Sequence, residues 1–367
     1  MNRHAIILSA ALIMFARMAV AHPLDHWQLQ TTNLSFNAVT YGNGLFVGVG
    51  MVGTNVTSPD GSAWAAHPLP TSGYLRAIAF GGSQFVGVGD SGLIMSSPDG
   101  TNWGVQVSGT SISLRRIAYG NGVFVAGGES GAPRILLTST DGTNWMPQST
   151  PQPFDPFNIV FGKGLFVLES FGGTNLISTD GTNWFPRPSG SDTGLYTTGF
   201  GDGVFMSIDT RSRVFTSVDA SNWVQRGSVT TIRPGQIAYG NGQFLIGGAN
   251  RSEHSPNGNS WFTNPSLCCF YAQAYSFAFG NGFFVTCDRQ GIKKSDPIVA
   301  LQIGEGSSLR LVGPTGSIYA VESSTSLAPG EPWPVLTNFT MPTSPYLWTP
   351  PTSSNSTQRF YRARLVP

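Results

Sequence analysis

The sequence predicts an all-β protein: a seven-bladed β-propeller closed by its own N-terminal strand, followed by a small C-terminal β-sandwich-like domain. Two repeating signals carry this reading. An aromatic-Gly pair recurs at Tyr41, Phe80, Tyr119, Phe161, Phe200, Tyr239 and Phe279, and a Ser-x-Asp-Gly-x-x-Trp box sets Trp64, Trp103, Trp145, Trp184, Trp223 and Trp261 at matching intervals. A period of about 40 residues, rich in strand formers and glycine turns, is the signature of a propeller blade. Composition agrees: 46 glycines, 25 prolines and only 11% charged residues in 367 describe a turn-rich β chain, and the repeat rules out the disordered reading of such a composition.

The first element is a targeting segment. Residues 1–21 read MNRHAIILSAALIMFARMAVA, with basic Arg3, an apolar run from Ala5 to Phe15 and Ala19-Val20-Ala21 before His22. This is the pattern of a secretory signal with an A-x-A cleavage site, too short to span a bilayer. The mature protein is expected to be secreted, periplasmic or on the cell surface, with no integral membrane segment. Removing the segment takes Arg3 and Arg17 from 20 basic residues and nothing from 19 acidic ones, leaving a net charge of −1. Bulk electrostatics of that size favour no nucleic-acid partner.

The propeller is expected over 22–298. Each unit opens with a short apolar strand such as Ala77-Ile78-Ala79-Phe80 and turns through Gly-Asn-Gly, as at 42–44, 120–122, 240–242 and 280–282. These glycines read as the suppliers of the positive φ angles of two-residue hairpins. A second strand follows (Leu45-Phe46-Val47), then a third (Leu176-Ile177-Ser178) that runs into the box, whose Trp opens strand four and packs between blades. The unit from Phe279 lacks a box after Lys294-Ser295-Asp296. Trp27 precedes Tyr41 by 14 residues where other units have 16 to 18, so residues 25–30 are expected to supply the missing strand. Such closure hides open sheet edges.

Residues 299–367 read as a separate small β domain, with strands at 309–312, 318–321 and 359–364. Gly316-x-x-Tyr319-x-x-Glu322-x-Ser324, with the terminal Arg359-Phe360-Tyr361-Arg362, resembles C-terminal modules of large secreted bacterial proteins. The resemblance implies a packing cap or a surface-sorting role and no chemistry. Cys268, Cys269 and Cys287 allow one disulfide from Cys287 to either neighbour, or buried thiols.

The boxes Ser58-Pro59-Asp60-Gly61-x-x-Trp64, Ser97-Pro98-Asp99-Gly100-x-x-Trp103 and Ser139-Thr140-Asp141-Gly142-x-x-Trp145 resemble the Asp-box (BNR) repeats of sialidase-like propellers, one residue shorter between Asp and Gly. In that family these boxes are turns remote from the active site, so the resemblance implies fold. The sialidase arginine cluster, Tyr-Glu pair and acid have no counterparts that can be placed residue by residue. The chain is also similar to photosystem-assembly-factor-like propellers, which act by binding.

Two motif-like pieces are discounted. Gly89-Asp90-Ser91-Gly92 and Ala65-Ala66-His67 imitate protease segments, but His67 and Ser91 lie 24 residues apart, far closer than a two-barrel triad requires. Histidines at 4, 22, 26, 67 and 254 show no ligand spacing, so neither a metal nor another cofactor is expected. Function is sought where the repeats differ, in the turn between strands two and three. That turn carries Asp90, Glu129, Glu169, Asp209 with Arg211, Arg251, and Asp288 with Arg289. These form a candidate ligand-binding rim, with Tyr74, Phe154, Tyr196, Phe270 and Tyr271 as stacking surfaces for a peptide or sugar. The expected function is a monomeric, non-enzymatic scaffold binding a protein or glycan. The alternatives are a glycoside hydrolase, should two of the carboxylates converge, and a structural cell-surface protein.

Overall fold

The computed structural model describes residues 24, 26–32, 35–50, 53–128, 134–151, 158–169, 173–231, 235–248, 251–264, 276–288, 291–298, 300–303, 309–313, 316–324, 333–342, 346–349 and 360–366. Among them the chain is all-β, its one helical element being a single 3-10 turn at Asp90–Gly92. Seven four-stranded antiparallel sheets follow one another. The first contains Phe36–Gly42, Leu45–Gly50, Thr54–Ser58 and Ala65–Pro68, called strands a to d in that order. The second to sixth repeat the order within 75–106, 114–148, 159–188, 195–228 and 237–264. In the seventh, strands a to c are Ser276–Gly280, Phe283–Asp288 and Gly291–Ser295, and strand d is the N-terminal Trp27–Thr32, with Trp27 opposite Ser295.

The a-strands pack against one another from sheet to sheet, and the seventh packs on the first. The glycine that ends each a-strand makes this approach possible. A Cβ on Gly42 would fall inside the Phe80 ring, and the same holds for Gly81 under Tyr119, Gly120 under Phe161, Gly162 under Phe200, Gly201 under Tyr239, Gly240 under Phe279 and Gly280 under Tyr41. The repeated aromatic of one sheet therefore sits on the repeated glycine of the sheet before it. This corrects the expectation that the first glycine serves the hairpin. The positive φ angles belong to the next two residues, Asn43 (49°) and Gly44 (76°) in the first turn, the pair a type I′ hairpin requires. Each aromatic also tilts against a Phe of its own b-strand, as Tyr41 does on Phe46 with centroids 4.5 Å apart.

Hydrophobic cores lie between neighbouring sheets. Val47 and Val49 of the first sheet meet Leu75, Phe85, Met95 and Trp103 of the second. Phe36, Phe46 and Val56 meet Phe283, Val285, Cys287 and Ile292 of the seventh. Lys294 fastens that junction: its Nζ donates to the Asp60 carbonyl (2.7 Å) and Ser62 Oγ (2.8 Å) and lies 3.9 Å from the Phe283 ring centroid. The N-terminal strand is anchored by Leu24, fully buried with Leu245, Phe277, Phe284 and Ile298. Trp27 Nε1 donates to the Leu24 carbonyl at 2.8 Å.

In the boxes the aspartate side chain bonds within its own turn, while backbone carbonyls accept from the neighbouring sheet, as Gly100 does from Asn55 Nδ2 at 2.6 Å. Asp99 Oδ1 accepts from the Thr101 and Asn102 backbone N–H groups at 2.8 Å, Oδ2 accepts from Asn102 Nδ2, and Trp103 Nε1 donates to the Gly100 carbonyl. Those donors, the Asn102 backbone N–H first, hold the Asp99 carboxyl well below the usual carboxylate range. The same geometry recurs at Asp141, Asp180 and Asp219. The box glycine is needed twice over: Gly100 has φ 75°, and a Cβ there would lie 2.8 Å from Val47 of the preceding sheet. In the fifth box Ala220 takes that position at φ 58°, fully buried against Val167 and Phe205, and in the sixth Asn257 replaces the aspartate.

Beyond Ile298, two three-stranded antiparallel sheets follow. Ala300–Ile303, Leu309–Val312 and Tyr346–Trp348 form one, and Val335–Thr340, Ile318–Ser324 and Phe360–Leu365 the other. Tyr319, Leu311 and Met341 make their core. No helix among the described residues is long and apolar enough to cross a membrane. Residues 1–21, Cys268 and Cys269 lie outside the described residues, and Cys287 is buried in the core between the seventh and first sheets.

Candidate functional site

The b-to-c turns and the first residues of the a-strands lie at the same end of the sheets, because a and b form a hairpin closed at the other end. Asp90 occupies its turn as expected, in the 3-10 element where Ser91 adopts φ 55°. Its carboxylate is held by Arg76 from strand a through Nε (2.8 Å) and Nη2 (2.6 Å), the two-pronged geometry that suits guanidinium and carboxylate. That hydrogen bond lowers the Asp90 pKa, with Arg115 adding to it. The Arg76 guanidinium lies 5.8 Å from the Tyr74 ring centroid, and Tyr74 is 37% exposed.

Asp209 and Arg211 are brought together, but with unequal access. Asp209 is fully buried. It accepts from the Arg211 and Arg213 backbone N–H groups, from Ser191 Oγ (3.0 Å) and from Arg213 Nε (2.7 Å). Arg211 and Arg213 both reach Asp192 on the loop entering the fifth sheet. Arg211 and Asp192 keep more than half of their side chains exposed, at 60% and 58%. Tyr196, four residues along the chain from Asp192, is 36% exposed. Arg251 donates to Thr230 Oγ1 at 3.2 Å and stands apart from this group.

Glu169 differs from its expected placement. Aligning the b-strands Leu45–Gly50, Gln84–Gly89 and Val204–Asp209 with Leu165–Leu168 puts Glu169 at the position of Val49, Val88 and Ile208, one residue before the turn. Its side chain is fully buried. Burial pushes its carboxyl up to about 7, against hydrogen bonds from Thr198 and Ser207 and the charge of Arg116, which lower it. Glu129, Arg289, Phe154, Phe270 and Tyr271 lie outside the described residues, and Asp288 is described through its backbone pairing with Gly291.

Among the described turn acids, Asp90 is matched by Arg76, Asp209 is buried and matched by Arg213, and Glu169 is buried. Sequence reasoning named Arg211 and missed Arg76 and Arg213. The signal of Arg76 was present, since Leu75-Arg76-Ala77-Ile78 and Leu114-Arg115-Arg116-Ile117 break an otherwise apolar a-strand at its first turns. The protease-like pieces separate: His67 Nε2 meets Thr57 Oγ1 on the first sheet, while Ser91 sits in the turn of the second. Among the described residues no three His, Cys, Asp or Glu side chains are gathered as a metal would need.

Known structures share this architecture. A structure described as YCF48 bound to D1 peptide aligns over 76% of this chain and 96% of its own, with TM-score 0.58 and 18% identity. Streptogramin B lyase aligns over 74% and 97%, with TM-score 0.62 and 12% identity. The WD40 β-propeller domain of Doa1 aligns over 74% and 96%, with TM-score 0.56 and 12% identity. The chain has the β-propeller fold. No family model and no curated sequence matches it, so the likeness speaks of architecture alone.

Proposed function

We propose that this chain is an exported, non-enzymatic propeller that holds a protein partner on the face where the b-to-c turns and the a-strand starts lie. The observation that carries the reading is the presence on that face of partly exposed rings and fixed charges: Tyr74 with the Arg76–Asp90 pair, and on the fifth sheet the Arg211–Asp192 pair, with Tyr196 four residues along the chain from Asp192. Partly exposed tyrosines and arginines held by carboxylates give a surface of low ordering cost, the composition of binding hot spots. A propeller of similar architecture is known with a peptide bound, which supports a protein as the partner class.

In this reading residues 1–21 are the export signal, 22–298 form one ring of seven blades closed by Trp27–Thr32, and 299–367 form a separate module that caps the ring. The unbroken circuit of aromatic-on-glycine contacts from Gly42 through Gly280 to Tyr41 supports seven blades and closure. A fully buried carboxyl such as Glu169 cannot reach a substrate, so its raised pKa does not argue for hydrolysis.

Selection of displayed random peptides on purified residues 22–367 tests the proposal. Enriched peptides are expected to bind Tyr74→Ser, Tyr196→Ser and Arg211→Ser variants at least about tenfold more weakly, the scale of a hot-spot loss. Undiminished binding by all three variants would place the partner elsewhere.

A further inference from the structure

The seam between the fourth and fifth sheets holds a buried carboxyl where the other sheets have apolar residues. Glu169 stands at the position of Val49, Val88 and Ile208, and beside it Asn175 holds a position that is Asn55 and Ser252 in two other sheets and Ile94, Leu136, Val214 and Ile292 in the rest. Across the seam, Thr198 takes the place of Val39, Ile78, Ile117, Ile159 and Ile237, and Ser207 that of Gly48, Gly87 and Ala126. All four polar residues are at least 98% buried. Glu169 and Thr198 replace apolar residues on the two sides of one seam and meet there, a built feature, since a buried polar group is costly unless matched.

The hydrogen bonding shows what the feature holds. Ser207 Oγ lies 2.8 Å from Glu169 Oε1 and 3.0 Å from the Thr197 carbonyl oxygen. Ser207 has one proton and the carbonyl can only accept, so both contacts are satisfied together only when the carboxyl itself carries a proton. Thr198 Oγ1 meets the same Oε1, while Glu169 Oε2 and both side-chain polar atoms of Asn175 find no partner among the described residues. The charged group acting on Glu169 is Arg116, from strand a of the third sheet, and Arg116 in turn feels Tyr196 and Arg115. Thr198, Ser207 and Asn175 do not titrate.

We propose that Glu169 is a proton-operated latch on this seam: protonated, it closes the fourth sheet on the fifth, and on losing its proton to solvent it opens the seam toward Arg116. The anion would leave Oε2 charged and unmatched in a dry interface, a cost relieved by local opening. Because Glu169 N donates to the Asn158 carbonyl and Asn158 Nδ2 to the Thr198 carbonyl at 2.6 Å, opening there also loosens the inner strands. The latch does not depend on the identity of the partner.

The sign follows from linkage. With the carboxyl near 7 in the closed seam and 4.5 when released, the closed form binds the extra proton, so opening grows as pH rises from the lower value to the higher and then levels off. Hydrogen exchange of residues 22–367, corrected for the intrinsic rate at each pH, reads this directly over 158–169 and 195–209. In the unmodified protein the opening constant should rise up to about tenfold per pH unit across that window. Glu169→Gln, which keeps shape and cannot ionise, should abolish the rise. Glu169→Val, which restores the apolar residue of the other sheets, should do so with slower exchange throughout, and it covers the case of a poorly folded glutamine variant. A flat profile in the unmodified protein, or an unchanged rise in either variant, would overturn the latch.

Discussion

At the residue scale, two kinds of glycine that look alike in sequence do different work. Gly120 ends a strand beneath the Phe161 ring and does not need a positive φ, whereas Gly122 has φ 80° with open space around its Cβ position. Gly122→Ala should therefore cost about 1–2 kcal/mol, the left-handed penalty alone. Gly120→Ala must displace a buried ring and should cost about 3 kcal/mol or more, as severe overpacking does. Urea unfolding of the two variants checks the order, and equal losses would contradict the packing role. The positions of these glycines were legible in the sequence, but only the packing of neighbouring repeats reveals why the first of each pair is there. Glu169 teaches the same lesson. Its place one residue before the turn could be counted from the b-strand pattern, yet its meaning depends on Thr198 and Ser207 from another sheet.

At the element scale, the box turns are local structures and were legible for that reason: every bond made by Asp99 stays within 97–103. Their carboxylates have pKa values lowered by folding, so their contribution to stability is complete above the unfolded value and fades as pH falls through the folded one. Asp99→Asn should lower stability most at neutral pH, with the difference from the unmodified protein shrinking as the pH falls, so that the acid limb becomes shallower. Thermal melts between pH 2 and 7 check this, and an unchanged acid limb would count against it. The N-terminal strand makes a long-range pairing, which its 14-residue offset from Tyr41 nevertheless betrayed. Removing residues 22–32 strips Leu24 and Trp27 from a buried cluster. The loss of two large apolar side chains is expected to cost about 3–5 kcal/mol and to leave the edge of Gly291–Ser295 open to association. A monomeric truncated protein of full stability would contradict this.

At the scale of the whole molecule, the regular features build the architecture and the departures mark where function is to be sought. The box aspartates and turn glycines repeat from sheet to sheet, whereas the arginine near the start of strand a occurs as Arg76 and Arg115 in the second and third sheets alone. Arg76 and Arg213 were hard to find by sequence because each matters through a partner elsewhere: Arg76 through Asp90, and Arg213 through Asp192 and Asp209. The most direct measurement is the hydrogen-exchange footprint of a selected peptide on residues 22–367. The account predicts protection at 74–76, 90–93, 192–196 and 209–213, on one face. Protection confined to the box turns around Asp60, Asp99 and Asp141, or to the outer d-strands, would contradict it.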